Sequence, residues 1–519
     1  MYGRVYGCCI QGINGYVVEV EADISNGLPQ IHLVGLPDSA VRESIDRIRA
    51  AIKNTGFRFP QERVTINLAP ADLRKEGSAF DLAIAAGVLV AAGEIPAAVC
   101  EQAMLIGELS LEGKVRPVPG VLAMTAAAKQ AGFKRVVLPA DNAAEASLIS
   151  GIDVWPIRAL EELKLLGQSR DFAEVAMDLI NHVNDQRSPS IPFSPISMNQ
   201  LYDYGDVRGQ QHAKRAAMIA AAGKHHLLLI GPPGSGKTMI ARRMPSILPP
   251  LSEEEALEVM KIYSVVGKLG RVDRLISERP FRAPHHTISQ AGLIGGGSIP
   301  RPGEVSLAHH GVLFLDELPE FSRSALEVLR QPLEDGVVTI GRARSASTFP
   351  TRFLLVAAMN PCPCGYSGSQ GHRVCTCSSL KKEQYMARLS GPLLDRIDLH
   401  VEVPHLHYAR LHDDSEHLTS SLMRERIAVA EERQKHRFKH ERITSNQQLI
   451  GASLRKYCRM SPEAEHMLRE YYDALNLSIR AHDRILKIAR TIADLEDCEW
   501  IDTPHVAEAI QYRVLDQRQ

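Results

Sequence analysis

The chain has 519 residues, 45% hydrophobic and 23% charged, too long for one core and consistent with roughly two to four globular domains. Its 60 basic and 61 acidic side chains leave a net charge of -1, and aromatics make up 5%, so neither bulk charge nor a base-stacking aromatic surface points to nucleic acid. No apolar run approaches the roughly 20 residues of a bilayer span, and MYGRVYGCCIQGINGY carries no apolar signal core, so a cytoplasmic protein without membrane association is expected.

Residues 1–170 read as an alternating α/β unit. GYVVEVEADI, PQIHLVGLP, ERVTINLAP and KRVVLPA have strand character. DSAVRESIDRIRAAIKNTG is a predicted helix with Asp38 as N-cap and Gly56 at its stop. FDLAIAAGVLVAAG and VLAMTAAAKQAGF are further helices, and MLIGELSLEGKVRPVPG reads as a hairpin turning near Glu112 and Gly113. Residues 183–200, rich in Ser, Pro and Asn, read as a linker. A second α/β domain follows over 201–405. Residues 406–519 read as a helical lid and C-terminal domain, ending in a helix that Asp502 or Thr503 caps and Pro504 opens.

The strongest chemical signal is HHLLLIGPPGSGKTMIARRM. An apolar strand runs into Gly231, Pro232, Pro233, Gly234, Ser235, Gly236, Lys237 and Thr238, and a helix follows. This is a phosphate-binding loop in its strand–loop–helix context. Its backbone N–H groups and the helix N-terminus suit ATP phosphates; Lys237 reaches the β and γ phosphates, and the Thr238 hydroxyl suits Mg²⁺. Downstream, the apolar strand of GVLFLDELPEF ends in Asp316 and Glu317. Asp316 is a second Mg²⁺ candidate and Glu317 the candidate general base for the attacking water.

RFLLVAAMNPCP ends a third strand at Asn360, which either holds the lytic water, senses the γ-phosphate or marks a turn before Pro361. Arg396, in GPLLDRIDLHVEVP, is either a local ion pair or an arginine finger; Arg480, in NLSIRAHDR, is either a solvated helix residue or a phosphate sensor. This ordered set resembles the AAA+ superfamily, and more narrowly its magnesium-chelatase/minichromosome-maintenance branch. RPFRAPHHTISQAGLIGGGSIPRPGEVSLAHHGVLFLDELPEF, NLSIRAHDRILKIARTIADL and RGQQHAKRA are similar to the ComM/YifB family of magnesium-chelatase-like ATPases. The resemblance implies a P-loop AAA+ core with a helical lid and a homo-oligomeric ring, a hexamer formed with ATP. It makes Arg396 the finger acting in trans and Arg480 the sensor. It also implies two inserts facing the pore, Gly292 to Gly303 and the hairpin VVTIGRARSASTFPTRF with Arg342 and Arg344; His285 and His286 are either pore residues or structural. The associated activity is ATP-driven branch migration of DNA in recombination during natural transformation. A chelatase-type motor remodelling a protein partner, an ATP-dependent protease and a nucleotide-gated scaffold are the alternatives.

GELSLEGKVRPVPGVLAMTAAAKQAGFKRVVLPADN resembles the Lon-protease-type α/β domain. Lon-type proteolysis needs a Ser and a Lys, but the Lys position of the pattern falls on Leu122 and the nucleophile position on or next to Ala79. Ser78 is expected to cap the following helix instead, so the domain is read as non-proteolytic. Nine cysteines are present. Cys362, Cys364, Cys375 and Cys377 form two C-x-C pairs, tighter than the usual zinc spacing, which either bind Zn²⁺ or remain free thiols, with His372 a possible substitute ligand. Cys8, Cys9, Cys100, Cys458 and Cys498 are scattered and read as packing residues.

Overall fold

A computed structural model describes residues 1–168, 202–270, 272, 274–297, 300–342, 345–368, 374–405, 418–441 and 443–513. The predicted linker, Arg344 and His372 lie outside these residues. The chain packs into two compact units, 1–194 with 256–276 and 195–255 with 277–519.

The first unit is built on a seven-stranded mixed sheet. Its strands are β1 (Tyr2–Gln11), β2 (Asn14–Ser25), β3 (Gln30–Val34), β4 (Arg63–Ala69), β5 (Ala103–Leu105), β8 (Arg135–Pro139) and β9 (Asp153–Ile157). They lie in the order β3-β4-β2-β1-β5-β8-β9. A small antiparallel hairpin, β6 (Glu108–Leu109) with β7 (Val115–Arg116), stands apart from that sheet. The predicted hairpin is therefore shorter than the sequence implied, because Ala103–Leu105 joins the main sheet beside β1 and β8.

β1 escaped the sequence reading, although it pairs with β2 over its whole length. Two glycines dilute its β signal, and packing explains them. A Cβ at Gly3 would stand 2.6 Å from the Gly87 carbonyl oxygen, and one at Gly7 would stand 3.2 Å from Ala83 Cβ. The helix Asp81–Ala91 lies that close across the sheet, with ten of its eleven residues buried. Asp38 caps the helix Ser39–Asn54 as predicted, its Oδ1 accepting from the Val41 N–H at 2.8 Å.

Ser78 does not cap the next helix. That helix starts at Asp81 after Phe80, which has αR backbone geometry and makes no side-chain cap bond. The Ser78 hydroxyl donates to the Glu108 carboxylate instead. Ala79 is buried and Leu122 is fully buried, so neither presents a reactive group. Residues 256–276, which sequence order places after the P-loop helix, belong to this unit. Ser264, on the helix Glu253–Val265, accepts the Gly120 N–H at 3.0 Å and donates its hydroxyl to Glu145.

The second unit holds a five-stranded parallel sheet of β10 (Leu227–Ile230), β11 (Phe281–Arg282), β14 (Val312–Leu315), β17 (Leu354–Met359) and β18 (Leu399–Glu402). The order is β11-β14-β17-β10-β18. β10, β14 and β17 are buried along their full lengths, the mark of a parallel sheet covered on both faces. Each fully buried Leu or Ile there contributes roughly 2 kcal/mol. One apolar core runs from this sheet into the helices Ser420–Arg437, Pro462–Ala474, Ile479–Leu495 and Thr503–Gln511.

The two predicted inserts take regular form. β12 (Gly295–Gly296) pairs with β13 (Arg301–Pro302), and β15 (Val337–Arg342) pairs with β16 (Ser345–Pro350). No helix among the described residues is long and apolar enough to cross a membrane.

Candidate nucleotide site

The sheet order explains the site. β17 pairs with β10 on one side and with β14 on the other, all parallel. The C-terminal tips of three strands therefore lie side by side, where ligands of open parallel sheets bind. β10 delivers the P-loop, β14 delivers Asp316 and Glu317, and β17 delivers Asn360.

The loop geometry requires its glycines. Gly234 and Gly236 sit at φ of +77° and +96°, in the left-handed region that side chains disfavour. A Cβ at Gly231 would collide with the Val403 carbonyl. Gly236 leads directly into the helix Lys237–Ile247, whose N-terminus faces the loop with unpaired N–H groups. The Ser235 hydroxyl is buried and has no hydrogen-bond partner in the protein. An orphaned donor beside open backbone N–H groups fits a phosphate.

The Lys237 ammonium donates to the Gly231 carbonyl at 2.7 Å, the Pro232 carbonyl at 2.9 Å and Asn360 Oδ1 at 3.2 Å. Burial pushes its pKa down, and the charges of Asp316 and Glu317 pull the other way. The Thr238 hydroxyl donates to Asp316 Oδ2 at 2.9 Å. These are hard oxygen donors placed together, the set that Mg²⁺ prefers. Asp316 Oδ1 accepts from the Glu317 N–H at 3.0 Å, and Glu317 takes a left-handed φ of +53°. That backbone turn aims consecutive carboxylates in different directions, one toward Thr238 and one outward.

Three contacts were not legible beforehand. His286 Nδ1 lies 3.4 Å from Glu317 Oε2. The Gln210 amide donates to the Pro404 carbonyl at 2.7 Å and the Ser235 carbonyl at 3.3 Å, tying the segment ahead of the P-loop to the loop itself. The Tyr385 hydroxyl reaches the Asn360 backbone, and burial raises its pKa to about 12.

Lys237, Thr238, Asp316, Glu317 and Asn360 thus converge. Arg396 and Arg480 have other company. The Arg396 guanidinium pairs with the Glu334 carboxylate and the Pro392 carbonyl, while its Nε is buried without a partner. Arg480 is 70% exposed and stands 4.0 Å from Asp395.

The sulfurs of Cys362, Cys364, Cys375 and Cys377 all lie within 4.8 Å of one another. None of the nine cysteines is in a disulfide; Cys8, Cys9, Cys100 and Cys458 are buried, as packing residues are.

A P-loop on a parallel sheet, with an acidic pair and a polar side chain on neighbouring strand tips, defines an AAA+ ATPase. The chain belongs to the magnesium-chelatase-like ComM/YifB family of that class. It matches the family "Magnesium chelatase, subunit ChlI" over residues 203–411, "Subunit ChlI of Mg-chelatase" over 20–142, and the ChlI C-terminal family over 417–513. It is 45% identical to an uncharacterised protein of Mycobacterium tuberculosis, covering 98% of each chain. It is 43% identical to uncharacterised protein YifB of Salmonella typhimurium, covering 98% of this chain and 96% of the relative. It is 41% identical to competence protein ComM of Haemophilus influenzae, covering 98% of this chain and 97% of the relative. Over 31% of this chain and 32% of the relative it is 26% identical to Lon protease 2 of Bacillus subtilis. Family membership implies ATP, Mg²⁺ and self-assembly.

Proposed function

We propose that this chain is a cytoplasmic ATP-driven ring motor acting on single-stranded or branched DNA, a branch-migration helicase in homologous recombination during natural transformation. The carrying observation is the convergence of Lys237, Thr238, Asp316, Glu317 and Asn360 on adjacent strand tips. The DNA assignment draws support from the relative named a competence protein and from the paired β15–β16 hairpin, which ends in Arg342.

The residues divide the work. Lys237 exchanges its carbonyl and amide oxygens for the β and γ phosphate oxygens, and the N–H groups of Gly234, Ser235 and Gly236 surround the phosphates, with Gly231, Pro232 and Pro233 shaping the loop. Thr238 and Asp316 hold Mg²⁺, which supplies positive charge beside the phosphates. Glu317 accepts a proton from the attacking water, and Asn360 positions that water. Arg396 of one subunit reaches the γ-phosphate of its neighbour's site in a homohexamer assembled with ATP, which requires it to leave Glu334. Arg480 senses the same phosphate from the lid. Residues 1–170 form a non-proteolytic Lon-like domain, 183–200 a linker, 201–405 the ATPase core and 406–519 the lid and C-terminal domain. The four-cysteine cluster takes a structural Zn²⁺.

The chelatase match favours a second reading, an ATPase that remodels a protein partner. A branch-migration assay on a labelled four-way junction separates the two. ATP-dependent conversion of the junction, lost with Glu317→Gln, supports the DNA motor. An active ATPase that leaves the junction intact and is stimulated by a co-purified protein supports the remodeller.

A further inference from the structure

The cysteine cluster has the dimensions of a metal site. Cys362 and Cys364 sulfurs are 3.3 Å apart, Cys362 and Cys375 3.7 Å, and Cys364 and Cys375 3.6 Å. With Zn–S bonds of about 2.3 Å, the edge of a tetrahedral four-thiolate site is about 3.8 Å. A disulfide would bring two sulfurs to about 2.05 Å. Cys362 is fully buried, and the Ser367 N–H points at its sulfur at 3.3 Å, the kind of outer hydrogen bond that metal-bound thiolates accept.

The cluster's position in the chain gives it a consequence. Cys362 follows Asn360 by two residues, and Cys377 precedes the helix Ser379–Met386 by two. That helix carries Tyr385, whose hydroxyl returns to the Asn360 backbone. Between the first cysteine pair and the rest, Gly365 takes a φ of +86°, and a Cβ there would stand 2.5 Å from Pro233 Cδ of the P-loop. Tying the two cysteine pairs together therefore fixes a segment that touches the nucleotide site at Asn360 and at Pro233.

We propose that Cys362, Cys364, Cys375 and Cys377 hold one Zn²⁺ that clamps Asn360 and the P-loop in the geometry for ATP turnover. The clamp's effect on turnover rests on the ATPase reading; the metal site does not.

The full chain, purified under reducing conditions from zinc-supplemented cells, is assayed for zinc by plasma mass spectrometry. One zinc per chain is expected, retained in Cys498→Ser and lost in the Cys364→Ser/Cys377→Ser double variant. A zinc-selective chelator that spares Mg²⁺ removes the metal from the unaltered protein, so the result does not hang on a variant's folding. Hydrogen exchange over 354–365 should then speed up, and ATP turnover should fall on the order of tenfold to a hundredfold, both reversed by added Zn²⁺. Folded protein without zinc, or with disulfides among these cysteines by intact mass, overturns the site. Zinc removal that changes neither exchange over 354–365 nor turnover overturns the clamp. One zinc per chain in a protein with no ATP turnover refutes the ATPase reading, while the exchange measurement still decides the clamp.

Discussion

His286 Nδ1 stands 3.4 Å from Glu317 Oε2, across the gap between the segment that follows β11 and the tip of β14. Parallel pairing of these strands brings together two residues far apart in sequence. The imidazole restrains the more exposed of the two acidic side chains and so sets where the proposed base points. Replacing His286 with Leu keeps bulk and removes the nitrogen. Turnover is expected to fall on the order of tenfold, with KM for ATP changed less than twofold, because a misaimed base affects the transition state more than binding. A matching rise in KM would show that His286 serves nucleotide binding instead.

Gly365 is a position where the chain needs glycine twice over, for its φ of +86° and for its approach to Pro233. Gly365→Ala is expected to cost about 1–3 kcal/mol of local strain and to displace the P-loop. Fluorescent-nucleotide titration should show ATP affinity weakened at least several-fold. Unchanged affinity would mean that the loop yields without disturbing Pro233.

The Ser78–Glu108 hydrogen bond is structural. Ser78→Ala should lower unfolding stability by about 1–2 kcal/mol and leave ATP turnover intact. Neither the unaltered protein nor this variant should degrade casein with ATP. Degradation abolished by Ser78→Ala would restore the protease reading.

Burial pushes the His226 pKa down to about 4 and that of His400 to about 3. Both are depressed relative to an unfolded histidine near 6.5. The unfolded chain therefore binds more protons below that pH, and stability is full above about 6.5 and lost as pH falls toward 4. Asp398 opposes no part of this window: burial raises its pKa, but the hydrogen bond and charge of His225 outweigh that and hold it low. His226 alone accounts for on the order of 2 kcal/mol lost between pH 7 and pH 5. Urea unfolding at the two pH values should show the drop, and His226→Gln, which keeps an acceptor for the Leu355 N–H, should shrink it. An equal drop in the variant would assign the titration elsewhere.

The nucleotide residues were legible because their chemistry leaves little freedom. A phosphate loop needs glycine at Gly234 and Gly236, and an acidic pair must end a buried strand. The contacts of His286, Gln210 and Tyr385 were not legible, since they depend on strand order rather than spacing. Ser78 misled for a local reason: a helix cap looks the same in sequence whether the hydroxyl turns to the backbone or to Glu108. β1 was missed because Gly3 and Gly7, which weaken a strand signal, answer to a helix packed across the sheet. The placement of 256–276 with the first unit has no local signature at all.

The most direct test is steady-state ATP hydrolysis by the full chain, without DNA and with single-stranded, duplex or four-way-junction DNA, using Glu317→Gln as the blank. Turnover that vanishes in Glu317→Gln and rises several-fold with single-stranded or junction DNA is the predicted result. Turnover that persists in Glu317→Gln, or that no DNA alters, would contradict the account.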